Sequence, residues 1–298
     1  MSNPPKIVCF GEILWDLFPN GKKIGGAPLN VALSLHQLGA EVLFISRIGT
    51  DHLGEEILNE VKKYGLSELG LQRDQNFPTG TVSVNLNNAG VAHYSIEQNA
   101  AWDFIEPSSE IIQRSANANA FVFGSLIDRT NSEQALDVFL KTTPFAIFDV
   151  NLRPPYYSYE KLKKRMMQAH LIKFNEEELS EISYALGGQS DILQKQIEFI
   201  VKETNTDQIC VTLGARGAIM FLKGNWFFNN GYAVKVKDTV GAGDAFLATL
   251  IYGLLTDEPQ ISLDRACAMG ALVASNEGAN PLITEKDLLQ FINSKTNR

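Results

Sequence analysis

Residues 238–246, DTVGAGDAF, place two carboxylates around a glycine-rich turn, directly before the apolar run LATLIYGLL. The apolar spacing predicts a buried helix that begins near Gly243. Glycines in a first helical turn let the backbone approach a ligand closely, and free amides at a helix N-terminus favour an anion such as phosphate. Asp244 would stay ionised there, because the helix dipole stabilises a carboxylate, and could accept a proton. A tight turn before an ordinary helix-starting acid is the alternative, and this segment alone does not separate the two.

A second segment, VTLGARGAIMF at residues 211–221, carries residues suited to a phosphate-bearing ligand. Thr212, Gly214 and Gly217 follow a predicted strand, and ligands gather at the carboxyl ends of strands in open α/β sheets. A plain hairpin is the alternative, and it is compatible with a phosphate contact. The chain has neither a GxGxxG sequence that opens a helix nor a GxxxxGKS or GxxxxGKT loop, so the dinucleotide fingerprint and the P-loop are both missing from the sequence.

In IKFNEEELSEI, residues 172–182, Asn175 follows a buried strand and Glu178 stands three positions later. This spacing is a variant of the capping box, which is the interpretation that the residues favour by themselves. The functional alternative is that both side chains hold water or Mg²⁺ near a polyphosphate, because Mg²⁺ keeps much of its hydration and is often held through few carboxylates.

Near the beginning of the chain, Asp16 lies in GEILWDLF, and Gly25, Gly26 and Asn30 lie in KIGGAPLN. Asp16 precedes a predicted helix that begins after the two glycines, and Asn30 lies in the first turn of that helix. This arrangement suits a polyhydroxylated ligand, because hydroxyl groups need both donors and acceptors. A surface acid and a polar residue in a first helical turn are the commonplace alternative.

Asp149, Asn151 and Arg153 alternate where a buried strand ends in FDVNLRPP, residues 148–155. Side chains on one face of a strand end point into the crevice beyond it. Arg153 could therefore bind a sugar oxygen, an acid group or a phosphate. The alternative is a salt bridge to a neighbouring acid.

Short apolar runs alternate with amphipathic ones, which predicts an α/β fold with a central, mainly parallel sheet and helices on both faces. The predicted strands are 6–10, 41–48, 120–124, 145–150, 170–174 and 208–213. The predicted helices between them are 27–39, 53–65, 132–141, 176–186 and 192–203. From Asp238 onward the pattern predicts helices only.

Residues 79–97 break this rhythm with period-two alternation around an NNAG turn, which predicts a hairpin with one polar face. The sequence GKKIGG predicts the turn of a further strand pair with ILWDLF. No linker divides the chain, so we expect one α/β domain over residues 1–298, with a small β lid built from inserted strands around 12–24 and 79–103.

The composition narrows the class of partner. The chain has 298 residues and a formal net charge of -8, which argues against nucleic acid or an acidic membrane surface. It has no basic, apolar leader and no apolar run of the ~18 residues that a membrane span needs, so we expect a cytoplasmic protein. The spacings of its three cysteines and four histidines predict neither a disulfide framework nor a transition-metal site.

Taken in their order along the chain, the five polar and glycine-rich segments described above resemble those of the ribokinase-like, or PfkB, carbohydrate kinases. The match runs from GEILWDLF to ASNEGAN, which is nearly the whole chain. GGAPLNVALSLHQLGAEVLFISRIGTDHLG is similar to the family's amino-terminal signature, and DTVGAGDAFLATLI to its very specific carboxyl-terminal one. GEILWDLFP, GGAPLN and DVNLRPP look most like fructokinases.

The resemblance implies a role for each site residue. Asp244 would be the base that accepts a proton from a sugar hydroxyl as that hydroxyl attacks the γ-phosphate of ATP. The amides of Ala242, Gly243 and Asp244 would form an anion hole, with Gly241 as a further catalytic residue of the turn. The residues that would hold the sugar are Asp16, Gly25, Gly26, Asn30 and Arg153. The residues that would serve the nucleotide are Asn175, Thr212, Gly214, Gly217 and Asn276. The metal residues would be Glu178, through water to Mg²⁺, with Asp238 and Val240 for a monovalent cation such as K⁺.

The implied activity is ATP-dependent phosphorylation of a sugar hydroxyl, with fructose converted to fructose 6-phosphate. Arg153 keeps a sugar acid such as 2-keto-3-deoxygluconate open as acceptor, and ribose is a further one. A sugar-binding family member without catalysis is the alternative outside enzymes. In this family the lid covers the sugar and often supplies a dimer contact, so a homodimer through the lid is expected.

Overall fold

The computed structural model describes residues 3–86 and 92–296. Its strands are β1 (Lys6–Phe10), β2 (Leu14–Phe18), β3 (Gly21–Gly25), β4 (Glu41–Gly49), β5 (Leu71–Asp74), β6 (Gly80–Leu86), β7 (Ala92–Ile96), β8 (Ala120–Gly124), β9 (Ala146–Asp149), β10 (Leu171–Asn175), β11 (Gln208–Thr212), β12 (Ala218–Leu222) and β13 (Asn225–Asn229). Its helices are α1 (Ala27–Gln37), α2 (His52–Lys63), α3 (Ser109–Ala116), α4 (Ser132–Leu140), α5 (Tyr159–Gln168), α6 (Glu176–Ala185), α7 (Leu193–Thr204), α8 (Ala242–Thr256), α9 (Pro259–Ala274) and α10 (Glu285–Thr296).

The main sheet has nine strands within the described ranges, in the order β13-β12-β11-β10-β9-β8-β1-β4-β5. The strands from β11 to β5 are all parallel, and β12 and β13 add an antiparallel edge. This confirms the predicted fold class. The chain proceeds from β1 to β4 on one side and returns to β8 on the other, so the strand order reverses beside β1. Open α/β sheets bind their ligands in the crevice at such a reversal.

Both faces of the main sheet are buried. Successive side chains of a strand point to opposite faces, so the strands contribute to two separate apolar clusters. One apolar cluster joins alternate strand residues to α3–α7 and includes Val8, Phe10, Phe121, Phe123, Ile111, Leu136, Leu162, Leu179 and Ile197. The other joins the intervening residues to α1, α2 and α8 and includes Ile7, Cys9, Val122, Leu29, Ile57 and Leu247. The sheet is therefore covered by helices on both sides. Across the part of the chain that is described, no helix combines the length and apolarity needed to cross a membrane.

Helix α8 is apolar on most of its surface because it is packed on several sides. Leu247 and Ile251 contact the sheet, whereas Phe246 and Leu250 join a separate cluster with α9 and the β11–β12 edge. The helix begins one residue before the predicted Gly243. Gly241 precedes it with a φ of 78°, and a Cβ atom there would overlap the carbonyl of Ala279. Glycine is required at this position on both counts.

A second sheet has the order β3-β2-β6-β7. Strands β2 and β6 pair in parallel, and the outer strands pair antiparallel to them. Its strands come from two separate parts of the chain, one between β1 and α1 and the other after β5. The predicted NNAG turn, residues 87–90, lies outside the described residues. Asp16 of β2 lines a cavity beside the small sheet, and the action of this sheet as a lid stays a prediction.

Candidate active site

Asp244 lies in the first turn of α8. Its Oδ2 atom accepts a hydrogen bond from Nδ2 of Asn30 in α1, at 2.8 Å. Burial, followed by the charge of Asp149, raises the pKa of Asp244 to about 6, and the hydrogen bond from Asn30 opposes the rise. The carboxylate is therefore ionised at neutral pH, with a basicity suited to a general base.

The backbone around Asp244 offers donors for an anion. The amide of Ala242 donates to the carbonyl of Thr239 at 3.2 Å. The amides of Gly243 and Asp244 have no acceptor among the residues that the structure describes. The Nζ atom of Lys173 lies 3.6 Å from the position that a Cβ atom at Gly243 would occupy. Two free amides and an ammonium group therefore converge at the start of α8.

Lys173 is the third residue of β10 and is nearly buried. Its Nζ atom lies 2.9 Å from Oδ1 of Asp149 on the neighbouring strand β9. Burial by itself would lower the pKa of Lys173, but the charges of Asp149 and Glu178 raise it well above its ordinary value. The side chain stays cationic, so it can balance negative charge at the start of α8 as well as the charge of Asp149.

On the acceptor side, Asp16 and Gly25 are in contact, because a Cβ atom at Gly25 would overlap the Asp16 carboxylate. Burial raises the pKa of Asp16 to about 6, opposed by the charges of Arg153 and Lys23. A cavity of about 940 Å³ opens here. Its lining includes Asp16, Gly25, Asn30, Asp238, Val240 and Asn280. Three of the predicted sugar residues, Asp16, Gly25 and Asn30, thus line one cavity that extends to the loop before α8, whereas Gly26 and Arg153 are not part of its lining.

Arg153 has an exposed guanidinium group that donates to the carbonyl of Leu152 at 3.0 Å. Within the described part of the chain no acid lies close enough to form a salt bridge with it. Its charge nevertheless acts on Glu12, Asp16 and Asp244. The salt-bridge alternative is not what the structure shows, and the guanidinium group is free for a ligand.

Glu12 holds the turn that contains the glycine pair. Its Oε1 atom accepts from the amide of Ala27 at 3.1 Å, and a Cβ atom at Gly26, where φ is 117°, would overlap the carbonyl of Glu12. Burial is the main cause that raises the pKa of Glu12 to about 7. The turn that opens α1 is therefore fixed by both the backbone and the side chain of a buried acid.

Asn175 and Thr212 lie side by side at the carboxyl ends of β10 and β11. Oδ1 of Asn175 accepts from the amide of Glu178 at 2.8 Å, and Oε2 of Glu178 accepts from the amide of Asn175 at 2.8 Å. The capping interpretation is confirmed. Oε1 of Glu178 also accepts from the amide of Leu152 at 2.9 Å, so Glu178 joins the β10 and β9 ends.

The role of Glu178 towards Mg²⁺ stays a prediction. Among the residues described, no group of three or more His, Cys, Asp or Glu side chains is arranged to hold a metal. A buried carboxylate whose two oxygens already accept amide hydrogen bonds fits Mg²⁺ held through water and phosphate oxygens rather than by a protein cage. Glu178 fits that outer role.

The remaining nucleotide residues are less closely grouped. Gly214 and Gly217 form the turn between β11 and β12, each with a positive φ. The plain hairpin is therefore present, and it leaves the phosphate contact untested. Asn276 lies at the end of α9, where its Nδ2 atom donates to the carbonyl of Leu272 at 2.8 Å. Its amide is thus directed at its own helix.

Asp238 joins two loops near the start of α8. Its Oδ1 atom accepts from the amide of Val240 at 3.0 Å and its Oδ2 atom from the amide of Gly278 at 3.2 Å. The loop before α8 is thereby tied to the segment after α9. Binding of a monovalent cation by this loop stays a prediction.

Sequence reasoning missed Lys173, Glu12 and Asn280 as site residues. A lysine inside the apolar run HLIKF was an available signal, because a buried lysine needs an acidic partner. Glu12 gave a weaker signal as an acid between two predicted strands. Asn280 gave none, since its contact with Asn30 joins positions 250 residues apart.

Comparisons with known proteins were consistent with this geometry. The model of the family described as "pfkB family carbohydrate kinase" matches residues 5–286. The probable fructokinase-5 of Arabidopsis thaliana is 29% identical over 328 residues, which cover 99% of this chain and 100% of the relative. The fructokinase of Vibrio cholerae O395, solved with fructose, ADP and a calcium ion, has a TM-score of 0.82 at 25% identity, covering 97% of this chain and 99% of its own. The 2-dehydro-3-deoxygluconokinase of Thermotoga maritima has a TM-score of 0.83 at 22% identity, with coverage of 97% and 99%, and shows likeness of fold alone.

Proposed function

Because this chain belongs to the pfkB family of carbohydrate kinases, we propose that it transfers the γ-phosphoryl group of ATP to a hydroxyl of fructose, giving fructose 6-phosphate and ADP. The observation that carries the proposal is the position of Asp244. Its carboxylate accepts a hydrogen bond from Asn30, which lines the acceptor cavity, and its own backbone amide is one of the two free amides at the start of α8. A base and an anion site are thus adjacent, as phosphoryl transfer to a hydroxyl requires.

In the proposed reaction the sugar hydroxyl gives its proton to Asp244 and its oxygen attacks the γ-phosphorus, with ADP as the leaving group. Negative charge is spread over the transferred phosphoryl group in the transition state. The amides of Gly243 and Asp244, together with the ammonium group of Lys173, would stabilise that charge. Donors fixed in place before the reaction stabilise it without the cost of reorganising solvent.

The residues of the acceptor cavity would hold the sugar. Asp16 can accept hydrogen bonds from sugar hydroxyls, and Asn30 can share its amide between the base and the substrate. Glycine at position 25 leaves space for the Asp16 carboxylate at the cavity, since a Cβ atom there would overlap it. We further propose that the small sheet covers the bound sugar and supplies a homodimer contact.

Asn175, Thr212, Gly214, Gly217 and Asn276 would surround the nucleotide from the other side. Mg²⁺, when bound, would neutralise phosphate charge, and Glu178 would hold its water ligands. The loop that contains Asp238 and Val240 would take K⁺ or a similar ion. The Vibrio relative solved with fructose, ADP and calcium supports a sugar, a nucleotide and a metal in this fold.

A sugar acid is the second candidate acceptor, and Arg153 is the observation that favours it. The charge of its guanidinium group acts on Asp16 of the acceptor cavity, and the group has no salt bridge in the described structure. Guanidinium groups bind carboxylates with matched, paired hydrogen bonds. The names of the relatives favour fructose, whereas the free cation is compatible with 2-dehydro-3-deoxygluconate.

The test is a panel of sugars and sugar acids with Mg-ATP, in which ADP release is measured by a coupled assay. We expect fructose to give the highest kcat/KM, because specificity is a ratio of those values. A higher value for 2-dehydro-3-deoxygluconate would transfer the assignment to the sugar acid. A failure of every member of the panel to cause ADP release would refute the proposed function.

A further inference from the structure

We propose that Asn280 is a positioning residue for the base, since its amide holds the amide of Asn30 and, through it, the carboxylate of Asp244. The catalytic meaning of this role rests on the proposed function. Asn280 follows α9 and lines the acceptor cavity.

Two hydrogen bonds form the connection. Nδ2 of Asn280 donates to Oδ1 of Asn30 at 2.8 Å, and Nδ2 of Asn30 donates to Oδ2 of Asp244 at 2.8 Å. An ionised carboxylate only accepts hydrogen bonds, so the NH₂ group of Asn30 must face Asp244. The carbonyl oxygen of Asn30 then faces Asn280, and only a donor there is compatible with it. The orientation of each amide is therefore fixed by its neighbour.

The other end of Asn280 shows that this orientation has a cost. Its Oδ1 atom is buried and has no hydrogen-bond partner among the residues described. A buried acceptor without a donor destabilises the folded state. Rotating the amide would not remove that cost, because it would set two carbonyl oxygens against each other at Asn30. An apolar side chain would remove this unpaired oxygen but would leave Oδ1 of Asn30 without a donor, which points to the donor atom as the reason for the amide.

The segment that carries Asn280 is attached to the start of α8. Gly278 donates its amide to Asp238, and the close approach of Ala279 is what requires glycine at position 241. Asn280 therefore reaches Asn30 from a segment already held against the anion site. A displacement of this segment would move the amide connection and with it the base.

Other charged groups also act on Asp244. They are Asp149 on β9, Lys173 on β10, Arg153 after β9 and Glu12 after β1. None of them has a hydrogen bond to Asn280 in the described structure. A change at Asn280 would thus reach Asp244 through Asn30, which separates its effect from theirs.

The experiment is an NMR titration of the Asp244 carboxyl carbon in ¹³C-aspartate-labelled protein without substrates, assigned by the loss of its signal in Asp244→Asn. Asn280→Leu has nearly the same shape as the native residue but no donor. We expect it to raise the pKa of Asp244 by about half a unit or more, because Asn30 is no longer held against the charged form. Asn30→Leu should raise it at least as much. The double variant should match Asn30→Leu, since the two residues act in series.

An Asp244 titration unchanged by Asn280→Leu, or a double variant whose shift is the sum of the single shifts, would overturn the inference. Asn280→Ala, expected to shift the titration in the same direction, serves if the leucine variant does not fold. Leu282→Ala, at an 81% exposed position two residues away, is the control and should leave the titration in place. The acid limb of kcat/KM should follow the NMR shift, and a limb that stays in place would overturn the catalytic meaning. Absence of kinase activity in the native protein would refute the proposed function and leave the titration to decide the inference.

Discussion

The ammonium group of Lys173 lies beside Gly243 at the start of α8, with Nζ 3.6 Å from the position that a Cβ atom on that glycine would occupy. A cation thus stands beside the two free amides of the anion site. The same group is 2.9 Å from the carboxylate of Asp149. Lys173 therefore serves two negative charges, one permanent and one that would develop during phosphoryl transfer.

We expect Lys173→Met to lower kcat about a hundredfold, since one preorganised donor to a transition-state charge is typically worth that much. The substitution also leaves Asp149 buried without a partner, which costs about 3–5 kcal/mol of stability. Lys173→Met combined with Asp149→Asn should recover stability while activity stays low. Urea unfolding and a kinase assay measure the two effects. Recovery of activity along with stability would show that Lys173 is structural only.

The base assignment predicts the acid side of the pH profile. Asp244 must be ionised to accept a proton, and its pKa is raised to about 6. We therefore expect kcat/KM to rise with pH and to level off above about pH 6, and Asp244→Asn to lower kcat about a hundredfold to ten-thousandfold. Asp16 also has a pKa of about 6, so Asp16→Asn is the matched comparison. It should raise the sugar KM and keep the acid limb, and loss of that limb would move the assignment to Asp16.

Gly241 and Gly243 lie two residues apart at the start of α8 but should respond differently to substitution by alanine. A Cβ atom at Gly243 meets Lys173 at an ordinary contact distance of 3.6 Å, whereas one at Gly241 overlaps a backbone carbonyl and requires a positive φ. Gly241→Ala should destabilise the protein by about 1–3 kcal/mol. Gly243→Ala should leave stability nearly unchanged and weaken ATP turnover by narrowing the anion site. Unfolding curves with ATP kinetics test this, and equal destabilisation of both variants would contradict it.

Glu12 predicts a stability change with pH. Its pKa in the folded protein is raised from 4.5 to about 7, so the protonated form is favoured by folding. Glu12 contributes as much as ~3 kcal/mol to the free energy of unfolding below about pH 4.5, and this contribution is lost as the pH rises through 7. Glu12→Gln cannot ionise and should flatten this fall.

Urea unfolding of Glu12→Gln and the native protein at about pH 5 and pH 8 measures the difference. The variant should gain relative stability at the higher pH. Glu41→Gln, at an exposed position at the start of β4, is the control and should follow the native protein at both values. A parallel pH dependence of Glu12→Gln and the native chain would be inconsistent with a buried, protonated Glu12.

The sequence predicted the sheet because its parallel strands are buried on both faces and read as continuous apolar runs. Strand β5 and helix α5 were not predicted. LQRD in β5 is short and polar at a sheet edge, and α5 carries many charges in YEKLKKRMMQ. Their positions depend on neighbours: β5 pairs with β4, and Arg165 of α5 is buried against Asp128. Local pattern does not contain that information.

The candidate site divides in the same way. DTVGAGD was readable because glycine, acid and helix follow each other within one segment, so the free amides and the base are local consequences of the sequence. The hydrogen bond from Asn280 to Asn30 is not local, since nothing in either segment specifies its partner. Lys173 is intermediate: its burial is readable from the strand, but its proximity to Gly243 depends on how α8 packs against the sheet.

The small sheet is joined to the rest of the protein by four backbone connections, at 11–13, Gly26, 75–79 and 97–100. A flap on one hairpin stalk can swing by bending two connections. This sheet must bend four at once, and two of them flank the strand pair that carries Asp16 and Gly25. Because β2 and β3 also form part of the cavity wall, the sheet and the cavity deform together. Any tilt of the sheet therefore changes the width of the cavity.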